Sequence, residues 1–438
     1  MNFDLDILKL HNVTTNLENL PSTFRAKIEH VEKSWVPNTE RRAYFKKHFP
    51  NLYEDMSFEG RHGMKMSHQM ACLESMGETY LAAKWKEGDI VYDGENDQWQ
   101  PNLREAVNNT LDITNHPWVQ MPLLGKIFFG NAFINLVAVQ PVRSREGTFF
   151  KSDIKRGDEG APSSIFDKAA WNDTYMDHSE GADVNSLIYK LTTDTFTTTE
   201  RALAAEIEDM LMQDLNREHG MDGFAELMPY VAGELAKKES IMILKGILAE
   251  KANFSAELNW NKNGASAEEI KTSFGIKQYH LTVIDEINDV ARSIQKKVGR
   301  RPNWIYTDVD TWGIIEDAVS SGFKDAQQND LVSLTGASRK FLGDDNSSAE
   351  FVGILNKRYD VFVDNSGTGD IDGKILIGTT SNEWLFQGAV YLPFILGWAP
   401  GRLRSYDKIF RQKEGIMNRS GFKVINPLFY GLVNVNES

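Results

Sequence analysis

The chain has 438 residues, a formal net charge of −14 at pH 7, 41% hydrophobic residues and 25% charged ones. That length exceeds what one hydrophobic core organises, so about two domains are expected, and the ordinary composition excludes a disordered, collagenous or disulfide-stapled protein. The acidic balance argues against a chain that grips nucleic acid through clustered Lys and Arg, and the single cysteine, Cys72, fits a reducing compartment.

The opening Met1-Asn2-Phe3-Asp4-Leu5-Asp6 lacks the basic start and apolar core of a signal peptide, and no run approaches the roughly 20 apolar residues that span a bilayer, so a cytoplasmic place of work is expected. Residues 1–115 read as an N-terminal arm: a helical stretch around Ser22 to Phe49, then a polar segment of poor periodicity. Arg41-Arg42 and Lys46-Lys47-His48 fall on adjoining helical turns and read either as a solvated face or as a contact. From His116-Pro117 the character changes, and Phe133 to Val139 predicts a strand stopped by Gln140-Pro141. Lys151 to Phe196 is polar and Gly- and Asp-rich, with Phe166, Trp171 and Tyr175; a connection that long needs a task of its own.

Thr197-Thr198-Thr199-Glu200 matches a capping box and predicts a long helix after it. Leu203, Ile207, Met210, Leu211 and Leu215 would form its apolar stripe, with Glu206, Glu208, Asp209 and Asp214 largely on the other face, and Gly220 as the stop. A second helix is expected from Tyr230 to Ala252, with Pro229 at its start. A third lobe begins near Tyr279. Ile284, Ile287, Val290, Ala291, Ile294 and Val298 predict a helix ended by Gly299 and Pro302, Asn303 to Tyr306 a short strand, and Asp308 the cap of a helix that ends near Gly322. Val352–Leu355, Tyr359–Val363 and Lys374–Gly378 predict strands, the last two joined as a hairpin through Asn365-Ser366-Gly367-Thr368-Gly369. The chain is expected to return through Val390 to Phe394 into its first lobe, an α+β arrangement with a discontinuous first domain.

Constellations that could carry chemistry are sparse. His62, His68 and Cys72 match no common zinc spacing, and Asp370-Ile371-Asp372-Gly373 lacks the first ligand and the closing Glu of a calcium loop. Asp177-His178 with Glu180, and Asp308 with Asp310, have no nucleophile beside them. Gly367-Thr368-Gly369 follows a strand without opening a helix, so it is no dinucleotide loop. Arg300-Arg301 reads as a helix-terminal pair, and Trp384 and Trp398 as residues of a core or contact. No catalytic residue, cofactor or metal is assigned.

The stretches Gln387-Gly388-Ala389-Val390-Tyr391-Leu392-Pro393-Phe394, Asn418-Arg419-Ser420-Gly421-Phe422, Asn426-Pro427 and Tyr430-Gly431-Leu432-Val433-Asn434-Val435 resemble the closing strands of the major capsid protein of tailed bacteriophages of the T-even myovirus type, which have the Hong Kong 97 shell fold. Asn135 to Val142 resembles that family's entry strand, Thr199 to Asp222 its spine helix and following turn, and Lys357 to Asp364 its axial strand, all in the family's order. The resemblance implies an N-terminal arm (1–115), a peripheral domain (116–150, 197–278 and 387–438) with a long spine helix, an extended loop (151–196) lying across the next subunit, and an axial domain (279–386). It implies a structural, non-enzymatic protein of the virion, assembled in the host cytoplasm into hexamers and pentamers around double-stranded DNA held without sequence-specific contacts, with no membrane and no cofactor. Acidic walls suit a container filled with a polyanion. Vertex, portal, scaffold, prohead protease and decoration proteins are the implied partners, and Arg41, Arg42, Lys46 and Lys47 the implied inner-surface or scaffold contact. Leu52-Tyr53-Glu54 and Leu103-Arg104-Glu105 both fit the Leu-x-Glu processing signal, which points to Glu54 and Glu105. An encapsulin-like nanocompartment shell and a capsid vertex paralogue are the alternatives on the same fold.

Overall fold

A computed structural model describes residues 39–53, 66–87, 90–93, 98–101, 117–142, 144–156, 163–164, 187–219, 223–262, 276–318, 323–325, 348–356, 358–380, 388–398, 403–404 and 411–436. The architecture is α+β, as expected, with two main sheets and a projecting hairpin.

The first helices are α1 (Thr39–His48) and α2 (Met66–Glu87), followed by the small pair β1 (Ile90–Asp93) and β2 (Gln98–Pro101) and by α3 (Pro117–Phe129). The expectation of a polar, aperiodic segment after Phe49 is corrected by α2. Its residues Cys72, Leu73, Met76, Tyr80 and Leu81 are buried in the main core beside Phe45, Phe49 and Leu52. Burial on nearly all sides erases the one-faced periodicity that marks a surface helix, and the charges that made the segment look solvated are themselves inside: Glu74, Glu78 and Lys84 are at most 2% exposed. Arg41 and Arg42 answer the two carboxylates, at 3.1 and 3.4 Å. The Lys84 ammonium sits 4.1 Å from the centre of the Trp398 ring.

The strand expected over Phe133 to Val139 is mostly a short 3-10 helix, Ala132–Asn135, capped by Asn131 Oδ1 accepting from the Phe133 amide. Only β3 (Ala138–Val139) pairs. Next come β4 (Glu146–Arg156), β5 (Ser163–Ser164) and β6 (Leu187–Thr197), with β4 and β6 paired antiparallel from Glu146↔Thr197 to Arg156↔Leu187.

The long helix predicted after the Thr197 capping box is overturned. Thr199–Glu208 is a strand, β7, in which Ala205 and Ile207 are buried while their neighbours face outward. A short helix α4 (Asp209–Asp214) and one further turn, Leu215–His219, follow. The long helix is α5 (Gly223–Ala249), and Pro229 lies inside its second turn rather than at its start. As the seventh residue of the helix it lies beyond the free first-turn amides, so it removes one intrahelical bond, the one to the Ala225 carbonyl.

The remaining elements are β8 (Glu257–Asn261), α6 (Ile276–Val298), β9 (Trp304–Thr307), α7 (Val309–Ala318), β10 (Phe323–Asp325), β11 (Ala349–Leu355), β12 (Tyr359–Asp364), β13 (Lys374–Gly378), β14 (Ala389–Trp398), β15 (Leu403–Arg404), β16 (Arg411–Val424) and β17 (Tyr430–Asn436). Gly299, at φ 81°, closes α6, and Asp308 Oδ2 caps α7 by accepting from the Thr311 amide at 3.1 Å.

One sheet runs β15-β16-β14-β3, with β7 also on β16; the other runs β10-β11-β12-β9-β13-β17-β8. The central strands of the second, β9, β12, β13 and most of β17, are buried on both faces. Ile305, Val361, Ile375, Ile377 and Val433 pack under α6 and α7, while Trp304, Tyr306, Phe362, Leu376 and Leu432 point into the main core. Double burial is why these strands read as unbroken apolar runs. Two expectations about this sheet are corrected. Strands β12 and β13 are not a hairpin, because β9 lies between them, parallel to β12 and antiparallel to β13; the hairpin is β11–β12, with Asn356 at φ 53° in its turn. Tyr430–Asn436 joins β13 and β8 in this sheet instead of closing the first one.

Candidate contact surface

Helix α5 lies on the first sheet, with Leu235, Ile243, Leu244 and Ile247 in the main core, and one buried carboxylate ties it to the strands. Glu239 is fully buried and meets groups from three strands. The Arg201 guanidinium of β7 donates to Glu239 Oε1 (3.5 Å) and to Ser420 Oγ of β16 (3.0 Å). The Ser420 hydroxyl and the Tyr391 hydroxyl of β14 donate to Glu239 Oε2, the latter at 3.3 Å. Burial pushes the Glu239 carboxyl above its usual range of about 4.5, against the pull of Arg201 and the hydrogen bonds. The same burial, with the neighbouring carboxylate, raises Tyr391. Nearby, Gly246 lies against the Phe422 ring, where a Cβ would stand 2.5 Å from the ring carbons. The helix therefore rides close on β16.

At the far end of β7 the surface turns apolar. Ile207, Leu211, Leu215, Gly223 and Leu227 line a groove of about 510 Å³ between β7, α4 and α5. Its rim is charged. Arg411 of β16 bridges Glu206 (3.3 Å) and Glu208 (2.9 Å), and Lys413 reaches Glu206 at 3.4 Å. Met210 is 75% exposed, Leu211 53%, Tyr230 59% and Leu227 37%. The sequence reading placed Met210 and Leu211 on a helix's inward stripe; the change from strand to helix at Asp209 turns them out.

The hairpin leaves from the opposite end of β7. The Thr198 amide and hydroxyl donate to the Arg145 carbonyl at 2.9 and 3.0 Å, and Lys423 of β16 pairs with Asp194, so the base of the hairpin is tied to the first sheet.

Of the residues singled out in the sequence, Arg41 is turned inward onto Glu78 and is 2% exposed, which corrects the reading of a solvated face at that position. Arg42 is partly buried on Glu74, while Lys46 and Lys47 are exposed. Glu54, Glu105, His62, Asp177, His178, Glu180 and Trp384 lie outside the described residues, as does the side chain of His68. Cys72 is buried, its thiol pushed up to about 12 by desolvation. Asp370 faces Lys245 at 3.4 Å, and among the described residues no cluster of three His, Cys, Asp or Glu could hold a metal. No described helix is long and apolar enough to cross a membrane.

The sequence profile of the family described as Major capsid protein Gp23 matches residues 151–438. No curated relative matches the chain. Among solved structures, one of Microbacterium phage Oxtober96 overlaps 70% of this chain and 91% of its own, at 11% identity and a TM-score of 0.41. The capsid of the cyanophage P-SCSP1u overlaps 70% and 89%, at 10% identity and 0.40, and a virus-like particle from Pyrococcus furiosus 72% and 97%, at 8% identity and 0.41.

Proposed function

Because the chain belongs to the major capsid protein Gp23 family, and is therefore a structural component of the virion, we propose that its copies form the hexamers, and the pentamers unless a vertex paralogue supplies them, of an icosahedral head around double-stranded DNA. The observation that carries this reading is the family match over residues 151–438. We ascribe no catalytic step to the chain; its work is contact with copies of itself. In this reading the body is of the Hong Kong 97 type, with the domain division given above except that β8 and β17 complete the sheet of the axial part, and the β4–β6 hairpin is the extended loop that lies on a neighbour. Exposed Lys46 and Lys47, rather than inward-turned Arg41, are the part of the N-terminal basic cluster available to a scaffold or to packaged DNA. Portal, prohead protease and decoration proteins belong to the same proposal, with Glu54 and Glu105 as processing signals. A subunit held by several neighbours gains from linkage, so a closed shell outlasts any one of its interfaces.

Electron microscopy of the protein expressed alone tests the reading, with closed or tubular lattices of capsomers as the expected result. A chain that stays monomeric at high concentration under every condition tried would end it. Particles from infected cells should hold nuclease-protected double-stranded DNA; a packaged enzyme in its place would move the assignment to a nanocompartment.

A further inference from the structure

We propose that α2 and α3 form a peptide-binding socket for residues 39–53, so that a chain cut after Glu54 keeps this segment as a separate, non-covalently held peptide. The inference rests on the processing signal of the proposed function and goes past it, to the fate of the severed segment.

The segment has the form of a ligand. Within α1 and the turn Pro50–Tyr53, Arg41, Phe45, His48, Phe49 and Leu52 are buried, while Ala43, Lys46 and Lys47 face outward. Steps of three and four residues put these anchors on one side, as in an amphipathic helix that docks in the groove of another protein. Being helical, the segment shares no strand ladder with the body. The Phe49 and Leu52 amides donate to the Phe45 and Phe49 carbonyls of the segment itself. A cut beyond it leaves those bonds whole.

The socket is shaped to the same anchors. Gly77 of α2 lies against the Phe45 ring and Gly125 of α3 against the Leu52 carbonyl, and a Cβ on either glycine would stand 2.9 Å from that neighbour. Bare backbone at these two places is what lets the segment sit so close. Beside them α2 holds two carboxylates, Glu74 at 0% and Glu78 at 1% side-chain exposure, and the segment brings Arg42 to the first at 3.4 Å and Arg41 to the second at 3.1 Å. Emptying the socket would strip both buried carboxylates of these guanidiniums, a cost that opposes release. Apolar anchors alone would admit many helices, whereas adjacent arginines over two carboxylates one helical turn apart admit few. Processing at Glu54 then changes the connectivity of the chain and not its core, and whatever precedes Thr39 stays on the body through the peptide.

The test makes the full sequence as two chains in one cell, a tagged 1–60 and an untagged 61–438. Co-purification in equal amounts, at the elution volume of the uncut protein, is expected and supports the socket. Arg41→Glu with Arg42→Glu, or Phe45→Asp, placed in the small chain, should lower recovery of the large one about tenfold or more. Chains that separate, or an association indifferent to these substitutions, overturn the socket. Mass spectrometry of particles from infected cells reads the processing step. Body chains that begin at Asp55, with an equal amount of a peptide containing residues 39–53, support the inference; the same bodies without that peptide overturn it. Particles of uncut chains defeat the processing reading instead, and the two-chain result then decides the socket by itself.

Discussion

Glu239 shows how much one buried residue can hold together. Its partners Arg201, Tyr391 and Ser420 come from three strands that are distant in sequence, so nothing local marks it, and the sequence reading passed over it. Truncation to Ala leaves the Arg201 guanidinium without its carboxylate, and stability to denaturant should fall by about 3–5 kcal/mol. Glu239→Gln tests the protonation state. The folded carboxyl has a raised pKa, so the folded state binds the proton more tightly than the unfolded one. Its stabilising contribution is complete below about pH 4.5 and is lost as pH rises through the folded value. The stability of wild type relative to the Gln variant should therefore decline as pH is raised from about 4 toward neutrality; a flat difference would remove the raised carboxyl. Cys72 gives a simpler readout, because a buried thiol with its pKa near 12 should react with a maleimide or disulfide reagent only as fast as the protein opens. The N-terminal basic cluster was legible as charge but not as geometry: that Arg41 faces Glu78 depends on how α1 lies on α2.

Among elements, the central strands of the second sheet, β9, β12 and β13, were the easiest to read, whereas β8 and β10 in the same sheet were not anticipated. Strands buried on both faces appear as short apolar runs with turn residues between them, and α6 keeps a one-sided stripe because it covers one face of that sheet. Strand β7 was misread for a definable reason. Leu203, Ile207, Leu211 and Leu215 recur every four residues, a spacing that fits both an alternating strand and a helical face. Burial of Ala205 between Leu203 and Ile207, and the β-branched run Thr197-Thr198-Thr199 ahead of it, speak for the strand. Helix α2 failed in the opposite way, since an enclosed helix with paired charges has no polar side. Topology was less visible than the elements themselves, because the place of β9 between β12 and β13 is set by packing under α6 and α7 and not by the Gly-rich connection. Gly378→Ala tests that close fit. A Cβ at this position would stand 2.0 Å from the Trp304 ring, and the substitution should cost about 1–3 kcal/mol or more, read as a lower denaturant midpoint with little change in slope.

At the scale of the whole molecule, the N-terminal segment divides into parts of unequal weight. A chain beginning at residue 55 loses Phe45, Phe49 and Leu52 from the core, on the order of 5 kcal/mol of apolar burial, and also Arg41 and Arg42, the partners of buried Glu78 and Glu74, and should unfold at a clearly lower temperature. A chain beginning at residue 106 also loses α2, with Cys72, Leu73, Met76, Tyr80 and Leu81, and should show no cooperative transition by calorimetry. Of the two proposed processing signals, a cut after Glu54 would take less from the core than one after Glu105. The parallel pairing of β8 with β17 also sets a timetable. About 170 residues separate these strands, so at roughly 5–20 residues per second a ribosome leaves β8 waiting about 10–30 s for its neighbour. In that interval β8 is an unclosed edge, with only Glu257, Asn259 and Asn261 to discourage other nascent chains in a crowded polysome from annealing to it.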